Sequence, residues 1–224
     1  YNCGLGERAG KELTTGDANT FLGSAAGIKL TTGDNNIAIG QAALDAADGA
    51  ETNNIAIGLD SLGNLNSDGA TRNIGIGNYS GDGMGTIGNH TDNIFIGHDS
   101  GGGTWEGTSS NQNTAIGSYS MDAAMNGANY NTSVGYRGLT ALTTGNKNTA
   151  IGWDVMITNT TGSNNTAIGT EALYYNLTAN QNVAIGDRSG AYTTGADNTY
   201  VGFKAGFGAS GADANNVGVG SNAL

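Results

Sequence analysis

The apolar positions of this chain recur in a short phrase: Asn, a β-branched residue, a small residue, an aliphatic residue and Gly. The phrase occurs thirteen times, at spacings of 16 to 20 residues, with 17 the commonest. A fixed short period predicts a stacked repeat architecture in which no unit folds alone. The sequence therefore indicates a single repeat array over residues 1–224, whose units start at Asn2, Asn19, Asn36, Asn54, Asn73, Asn93, Asn113, Asn131, Asn148, Asn165, Asn182, Asn198 and Asn216.

Each phrase predicts one short β-strand, such as Thr149-Ala150-Ile151 before Gly152. The residue before the Gly is aliphatic in every unit, and the residue two places earlier is Thr, Ile or Val in every unit but the first. Because side chains alternate along a strand, these two positions share one face. The Thr column is interrupted by Ile37 and Ile55, among others, which suggests that this face points inward and that the small middle residue points outward.

Two further columns of the repeat predict backbone features. The Gly that ends the strand is present in all thirteen units, from Gly6 to Gly220, which indicates a positive φ or a close backbone approach. The asparagines predict a vertical ladder of hydrogen bonds between coils. Strands about 4.8 Å apart would give a rod on the order of 60 Å long. We therefore predict an all-β fold, a parallel β-solenoid or β-roll of about 13 short coils of 16–20 residues each.

A coil of this size encloses little apolar surface, which is thin for independent stability. The fourth residue after each strand Gly is Gly, Leu or Met, and we expect side chains such as Leu44 and Met121 to be covered by a neighbouring chain. This predicts coils intertwined or packed as a parallel homotrimeric fibre. The chain opens at Asn2 and stops at Leu224 inside repeat phrases, so we also expect a section of a longer fibre or end-to-end stacking.

Units such as Thr161-Gly162-Ser163-Asn164-Asn165-Thr166-Ala167-Ile168-Gly169 resemble repeats of phage-type tail fibres. They are also similar to the head repeats of trimeric autotransporter adhesins, whose phrase runs through Ala-Ile-Gly but whose repeats are shorter. The resemblance covers essentially the whole chain. It implies a trimeric parallel β-roll or β-solenoid with a role in surface attachment, located outside the cell on a virion or a bacterial surface.

Charge and motifs narrow the function classes. A net charge of −11 with only 8 Lys and Arg argues against nucleic acid and anionic membranes as partners. No run of 18 apolar residues predicts membrane insertion. The two histidines lack zinc spacing, and no unit shows a calcium-roll motif, so we predict neither a metal nor a cofactor. The 19 acidic residues sit at variable slots and form no catalytic constellation, which favours a non-enzymatic protein.

The candidate surface or receptor contacts are aromatic and histidine residues at variable positions. Some occupy one of the two positions after the strand Gly, and others lie in the longest units, whose extra residues fall at 64–69, 83–90 and 102–110. Insertions in repeat proteins often mark the binding face, and an exposed Trp or Tyr can stack on a sugar ring. The alternative is that these rings fill gaps between protomers. The candidates are Tyr79, His90, His98, Trp105, Tyr119 and Trp153.

The sequence thus predicts a non-enzymatic fibre or adhesin shaft that mediates attachment to a host or a surface. Its expected partners are further copies of itself and cell-surface glycans or a receptor. Two alternatives stay open: a carbohydrate- or ice-binding solenoid, and a subunit of an end-to-end extracellular filament. A regular Thr array on a flat outward face would favour the carbohydrate- or ice-binding solenoid.

Overall fold

A computed structural model describes residues 1–67, 69–105, 107–208 and 213–224. These residues form thirteen three-residue strands and no helix, and the strands pair in chain order within a single parallel sheet. The chain is therefore a β-solenoid, which confirms the predicted fold class. The strands are β1 Cys3–Leu5, β2 Thr20–Leu22, β3 Ile37–Ile39, β4 Ile55–Ile57, β5 Ile74–Ile76, β6 Ile94–Ile96, β7 Thr114–Ile116, β8 Thr132–Val134, β9 Thr149–Ile151, β10 Thr166–Ile168, β11 Val183–Ile185, β12 Thr199–Val201 and β13 Val217–Val219.

Neighbouring strands are in register, so equal positions of the repeat stack directly on one another. Thr149 pairs with Thr166, and Ile151 pairs with Ile168, across β9 and β10. The same register holds from β1 to β13. Each unit of the sequence is consequently one coil, and the strand column forms a rod face about 60 Å long at the usual strand spacing.

The predicted Asn ladder is present and lies inside the coils. The Asn165 backbone N–H donates to Oδ1 of Asn148 at 3.0 Å, and Asn165 Nδ2 donates to the same oxygen at 3.1 Å. Asn148 Nδ2 in turn donates to the carbonyl of Gly162 at 2.8 Å, which closes the coil on itself. Asn148 and Asn165 are fully buried. One side chain thus ties each coil to its neighbour and fixes the turn that ends it.

The Gly that ends each strand has the positive φ that the sequence indicated, and in every coil but the last it also makes a close backbone approach. Its φ lies between 124° in Gly220 and 144° in Gly6, a range that L side chains rarely adopt. A Cβ added to Gly97 would also lie 2.7 Å from the carbonyl carbon of Gly117 in the next coil. Because this approach repeats along the glycine column, the coils stack too closely there for any side chain.

The inward face of the strand is the reverse of the one predicted. The middle residues, such as Ala56, Ala115 and Ala167, are fully buried, whereas Ile116 and Ile151 keep 38% of their surface exposed. The prediction followed the rule that aliphatic side chains point inward. It is wrong here because the coil is narrow: its interior accepts a small side chain at the strand, and a larger one only where Gly at a neighbouring position makes room.

The fourth position after each strand Gly, which we call the Leu and Met slot, supplies the rest of the interior. Leu44, Leu62 and Met121 are fully buried within their own chain, so the expectation that a neighbouring chain covers them is wrong. Their backbone is left-handed, with φ of 53° for Leu44 and 52° for Met121. Hydrogen bonds between coils hold this conformation, since Leu44 N–H donates to the carbonyl of Ser61 at 3.0 Å.

Three coils carry an aromatic ring instead of a small residue at the middle of the strand. Where the ring is present, the Leu and Met slot holds Gly in the same coil and in the preceding one, and a Cβ there would collide with the ring. One inward ring therefore occupies space that Leu or Met side chains fill elsewhere. The sets are Phe21 with Gly10 and Gly27, Phe95 with Gly81 and Gly101, and Tyr200 with Gly190 and Gly206.

Candidate functional surfaces

The first and third residues of every strand form one continuous surface, which we call the outer strand face. All 26 of these residues are Ile, Val, Leu, Thr or Cys, and none is charged. Their side chains are partly or largely exposed, as for Ile76 at 36%, Ile185 at 38% and Leu22 at 44%. This uncharged and mostly apolar strip, in which Thr begins six of the thirteen strands, contrasts with the net charge of −11 carried by the chain.

Beside this face, rings from four successive coils form what we call the aromatic ribbon: Tyr79, His98, Tyr119 and Tyr136. Their centroids are 5.9 Å apart for Tyr79 and His98, and 5.5 Å apart for His98 and Tyr119. The Tyr119 and Tyr136 centroids are 6.0 Å apart. The fold thus brings together three of the predicted candidates. Trp153, at the slot of Tyr136 in the next coil, is 47% exposed and continues the line.

The other two candidates, His90 and Trp105, are not at the surface. Each is only 1% exposed. The Trp105 ring packs edge-on against Phe95 at 5.6 Å and His90 at 5.1 Å, and its Nε1 donates to the carbonyl of Gly102 at 2.9 Å. Burial lowers the pKa of His90, and its Nδ1 accepts a hydrogen bond from the Ser110 N–H at 3.2 Å.

These two residues come from the extra lengths of the longest coils, and the same segments explain their burial. The inserted residues widen the coil, and Trp105 and Met84 fill the added interior. The outside of the widened region carries an open groove of about 510 Å³, lined by residues that include Asn64, Thr86 and Ile87. The insertions therefore contribute to the core, and Trp105 lines the groove with only 1% of its surface exposed.

A second aromatic group, which the sequence reading missed, lies on the coils that start at Asn165, Asn182 and Asn198. The Tyr175 and Tyr192 rings stack at 5.1 Å with 19° between their planes. The Tyr174 ring contacts Tyr175 at 4.7 Å, and the Phe207 ring contacts Tyr192 at 5.0 Å. With Glu171, Arg188 and Ala191 these rings line an open cleft of about 300 Å³, which we call the tyrosine cleft.

Several carboxyl groups are less solvated than the sequence suggested. Burial, together with the charges of Asp60, Asp99 and Asp122, raises the pKa of Asp82 to about 6. Burial and the charge of Asp99 raise the pKa of Asp122 to about 6 as well. Asp154 is 3% exposed and faces Arg137, whose Nε lies 3.4 Å from its Oδ1. The acidic residues of these coils are therefore partly folded into the wall of the rod.

No family model, curated protein or solved structure matches the chain. Within the described ranges, no group of three or more His, Cys, Asp or Glu side chains is arranged to hold a metal ion. The same part of the chain contains no helix long and apolar enough to cross a membrane. The outer strand face, the aromatic ribbon and the tyrosine cleft are thus the features from which a function has to be argued.

Proposed function

We propose that the chain is a non-enzymatic structural shaft of an extracellular fibre or adhesin, on a virion or a bacterial surface, and that it assembles as a homotrimer through the outer strand face. The observation that carries this proposal is the face itself: thirteen in-register strands present only apolar and Thr side chains to the outside, apart from Cys3. Extended apolar surfaces of this kind mark interaction sites.

The size of the face supports association between long surfaces. Three residues of strand span about 10 Å, and thirteen strands span about 60 Å, which gives a face on the order of 600 Å². This approaches the ~800 Å² that each partner contributes to a standard interface. The rims of the face add surface, because Trp153 and Tyr136 are exposed beside it.

The occupant that fits the face best is another copy of the same chain. A face without charge lets two strongly acidic chains approach without placing like charges opposite one another. Both partners would also repeat at the same strand spacing, so that each ridge of side chains meets an equivalent ridge along the rod. A trimer, which the resemblance to adhesin heads and tail fibres implies, places three such faces around one axis.

The repeat suits a shaft for a second reason. Each coil is bonded to the next through the Asn ladder and the strand register, and each strand contacts only the strands of the adjacent coils. Such an array grows in length without a change in its cross-section. Attachment to a host or a surface would then use side chains outside the outer strand face, such as those of the aromatic ribbon in the central coils.

The proposal is tested by placing charge on the outer strand face. The double variant Ile116→Asp and Ile151→Asp should be monomeric with unchanged far-ultraviolet circular dichroism, because both side chains point away from the coil interior. The matched control is Leu177→Asp, which charges a 52% exposed leucine outside the face and should leave assembly intact. Sedimentation velocity reads the result. Equal assembly of the double variant and the control would overturn the proposal.

A second candidate function, an ice-binding solenoid, follows from the corrected orientation. The Thr residues that begin β7 to β10 and β12 are partly exposed and stack in register, with Val183 of β11 between them. Such an array could order water. Thermal hysteresis of freezing, measured on the unmodified protein, tests it. Hysteresis from a monomer, lost in Thr149→Lys, would favour this function, whereas an assembled particle without hysteresis would exclude it.

A further inference from the structure

We propose that the tyrosine cleft is a binding site for an uncharged, linear oligosaccharide that lies along the rod with one pyranose unit per coil. This rests on the proposed attachment function and gives it a location and a ligand class. The cleft is formed by side chains of three successive coils, from Glu171 to Phe207, and none of them belongs to the outer strand face. It therefore stays available when that face is covered.

The rings of the cleft are not required by the coil. They occupy the fifth and sixth positions after the strand Gly, where the coils that start at Asn165, Asn182 and Asn198 carry four aromatic residues in six positions. The nine preceding coils have no aromatic residue at either position, although they form the same turn. A need of the fold would appear in every coil. The local concentration points instead to a task that these three coils perform.

The geometry of the rings matches a repeating ligand. Tyr175 and Tyr192 are 47% and 41% exposed, and both residues line the open cleft. Successive ring centroids from Tyr175 to Phe207 are 5.1 Å and 5.0 Å apart, which follows the strand spacing of about 4.8 Å. This step is comparable with the advance of one pyranose in an extended glycan. Tyrosine offers both apolar contact and a hydroxyl to such a ligand.

The polar groups of the cleft suit sugar hydroxyls. Arg188 Nε donates to Oε2 of Glu171 at 2.7 Å, and this pair lines the cleft with the rings. The pair presents donors and acceptors side by side, the arrangement that two adjacent hydroxyls need. Because its charges cancel, the cleft favours an uncharged chain. Lys204 does not itself line the cleft, although its ammonium lies 5.2 Å from the centroids of both Phe203 and Phe207 at the edge of the cleft.

Isothermal titration calorimetry of the full chain with cellohexaose, chitohexaose and maltohexaose tests the proposal. At least one should bind with a dissociation constant in the millimolar range or tighter. Tyr192→Ala should weaken that binding by about tenfold or more, since truncating an aromatic anchor removes its contact area. Tyr192→Phe keeps the ring and should retain most of the affinity. The control Tyr130→Ala, at a 56% exposed tyrosine outside the cleft, should change nothing.

Three results would overturn the proposal: no binding of any hexasaccharide, equal binding by Tyr192→Ala and the unmodified chain, or binding of a polyproline peptide to the cleft in place of the sugars. Circular dichroism and thermal unfolding of Tyr192→Ala establish that the variant is folded. Sedimentation separates this proposal from the proposed shaft. Sugar binding by a monomer would support the cleft and refute the trimer. An assembled particle that binds no sugar would refute the cleft and support the trimer.

Discussion

The packing of Phe21 against Gly27 gives the sharpest test of how the coil interior is filled. Phe21 is 2% exposed, and a Cβ added to Gly27 would lie 2.5 Å from its Cδ1. Phe21→Ala should therefore cost about 3–5 kcal/mol through the cavity it leaves. Gly27→Leu alone should cost roughly 1–3 kcal/mol or more, because the new side chain and the ring need the same space.

The double variant Phe21→Ala with Gly27→Leu should recover part of this loss, because the new Leu fills the space beside Gly27 while the space beside Gly10 stays empty. It recreates the pair Ala56 and Leu62 that two residues of another coil already form. Its backbone is suitable, because Gly27 has a φ of 56° and Leu44 holds 53° at the same slot. We expect a coupling free energy of about 2–3 kcal/mol in favour of the double variant.

The assay is denaturant unfolding at one fixed protein concentration. Free energies are fitted only where circular dichroism and fluorescence transitions coincide, because repeat arrays can unfold in steps. The control combines Phe21→Ala with Gly190→Leu, which crowds Tyr200 in a distant coil and should be additive. Additive losses in the Phe21 and Gly27 pair would refute the idea that the strand's middle residue and the Leu slot share one interior space.

Three further predictions concern the buried polar groups. Tyr200→Phe should leave stability unchanged or raise it by about 1 kcal/mol in the same unfolding assay. The reason is that the buried Tyr200 hydroxyl has no hydrogen-bond partner among the described residues. A clear loss of stability would contradict this. Asn148→Ala should cost at least about 2 kcal/mol, since it leaves the Asn165 N–H unpaired inside the rod, and a neutral result would contradict the Asn ladder. Folding raises the pKa of Asp82 and of Asp122 from 3.8 to about 6, so the folded state binds more protons than the unfolded state between these two pH values. Ionisation of the two carboxyl groups therefore destabilises the folded state as the pH rises through 6. Asp82→Asn should therefore be more stable than the unmodified chain at pH 7.5, as read by thermal unfolding, and should lose that advantage near pH 4; an advantage that does not change with pH would refute the cause.

The sequence predicted the coil and its strands closely, because both follow from local signals that repeat. Alternation placed a strand at Thr149–Ile151, and the Gly and Asn columns predicted the close approach and the ladder that the structure contains. Alternation could not say which face is inside. It shows that Thr149 and Ile151 share a face, and the usual rule then placed the larger apolar side chains inward.

A second signal in the sequence could have corrected this error. Phe21, Phe95 and Tyr200 occur only where Gly replaces Leu or Met in the same coil and in the coil before. Such compensation between two columns requires that both point into the same space. The tyrosine cleft was harder to foresee, because Tyr174, Tyr175 and Tyr192 lie at variable slots, where only the stacking of coils shows that they meet.

The mass of the unmodified chain in solution tests the central claim, assembly through the outer strand face, most directly. Light scattering coupled to size-exclusion chromatography, run over a range of concentrations, should give a discrete particle of about 67 kDa, three times the 22.4 kDa of one chain. A particle that stays at 22.4 kDa at every concentration would contradict the account, because thirteen strands of apolar surface would then face water in the working protein.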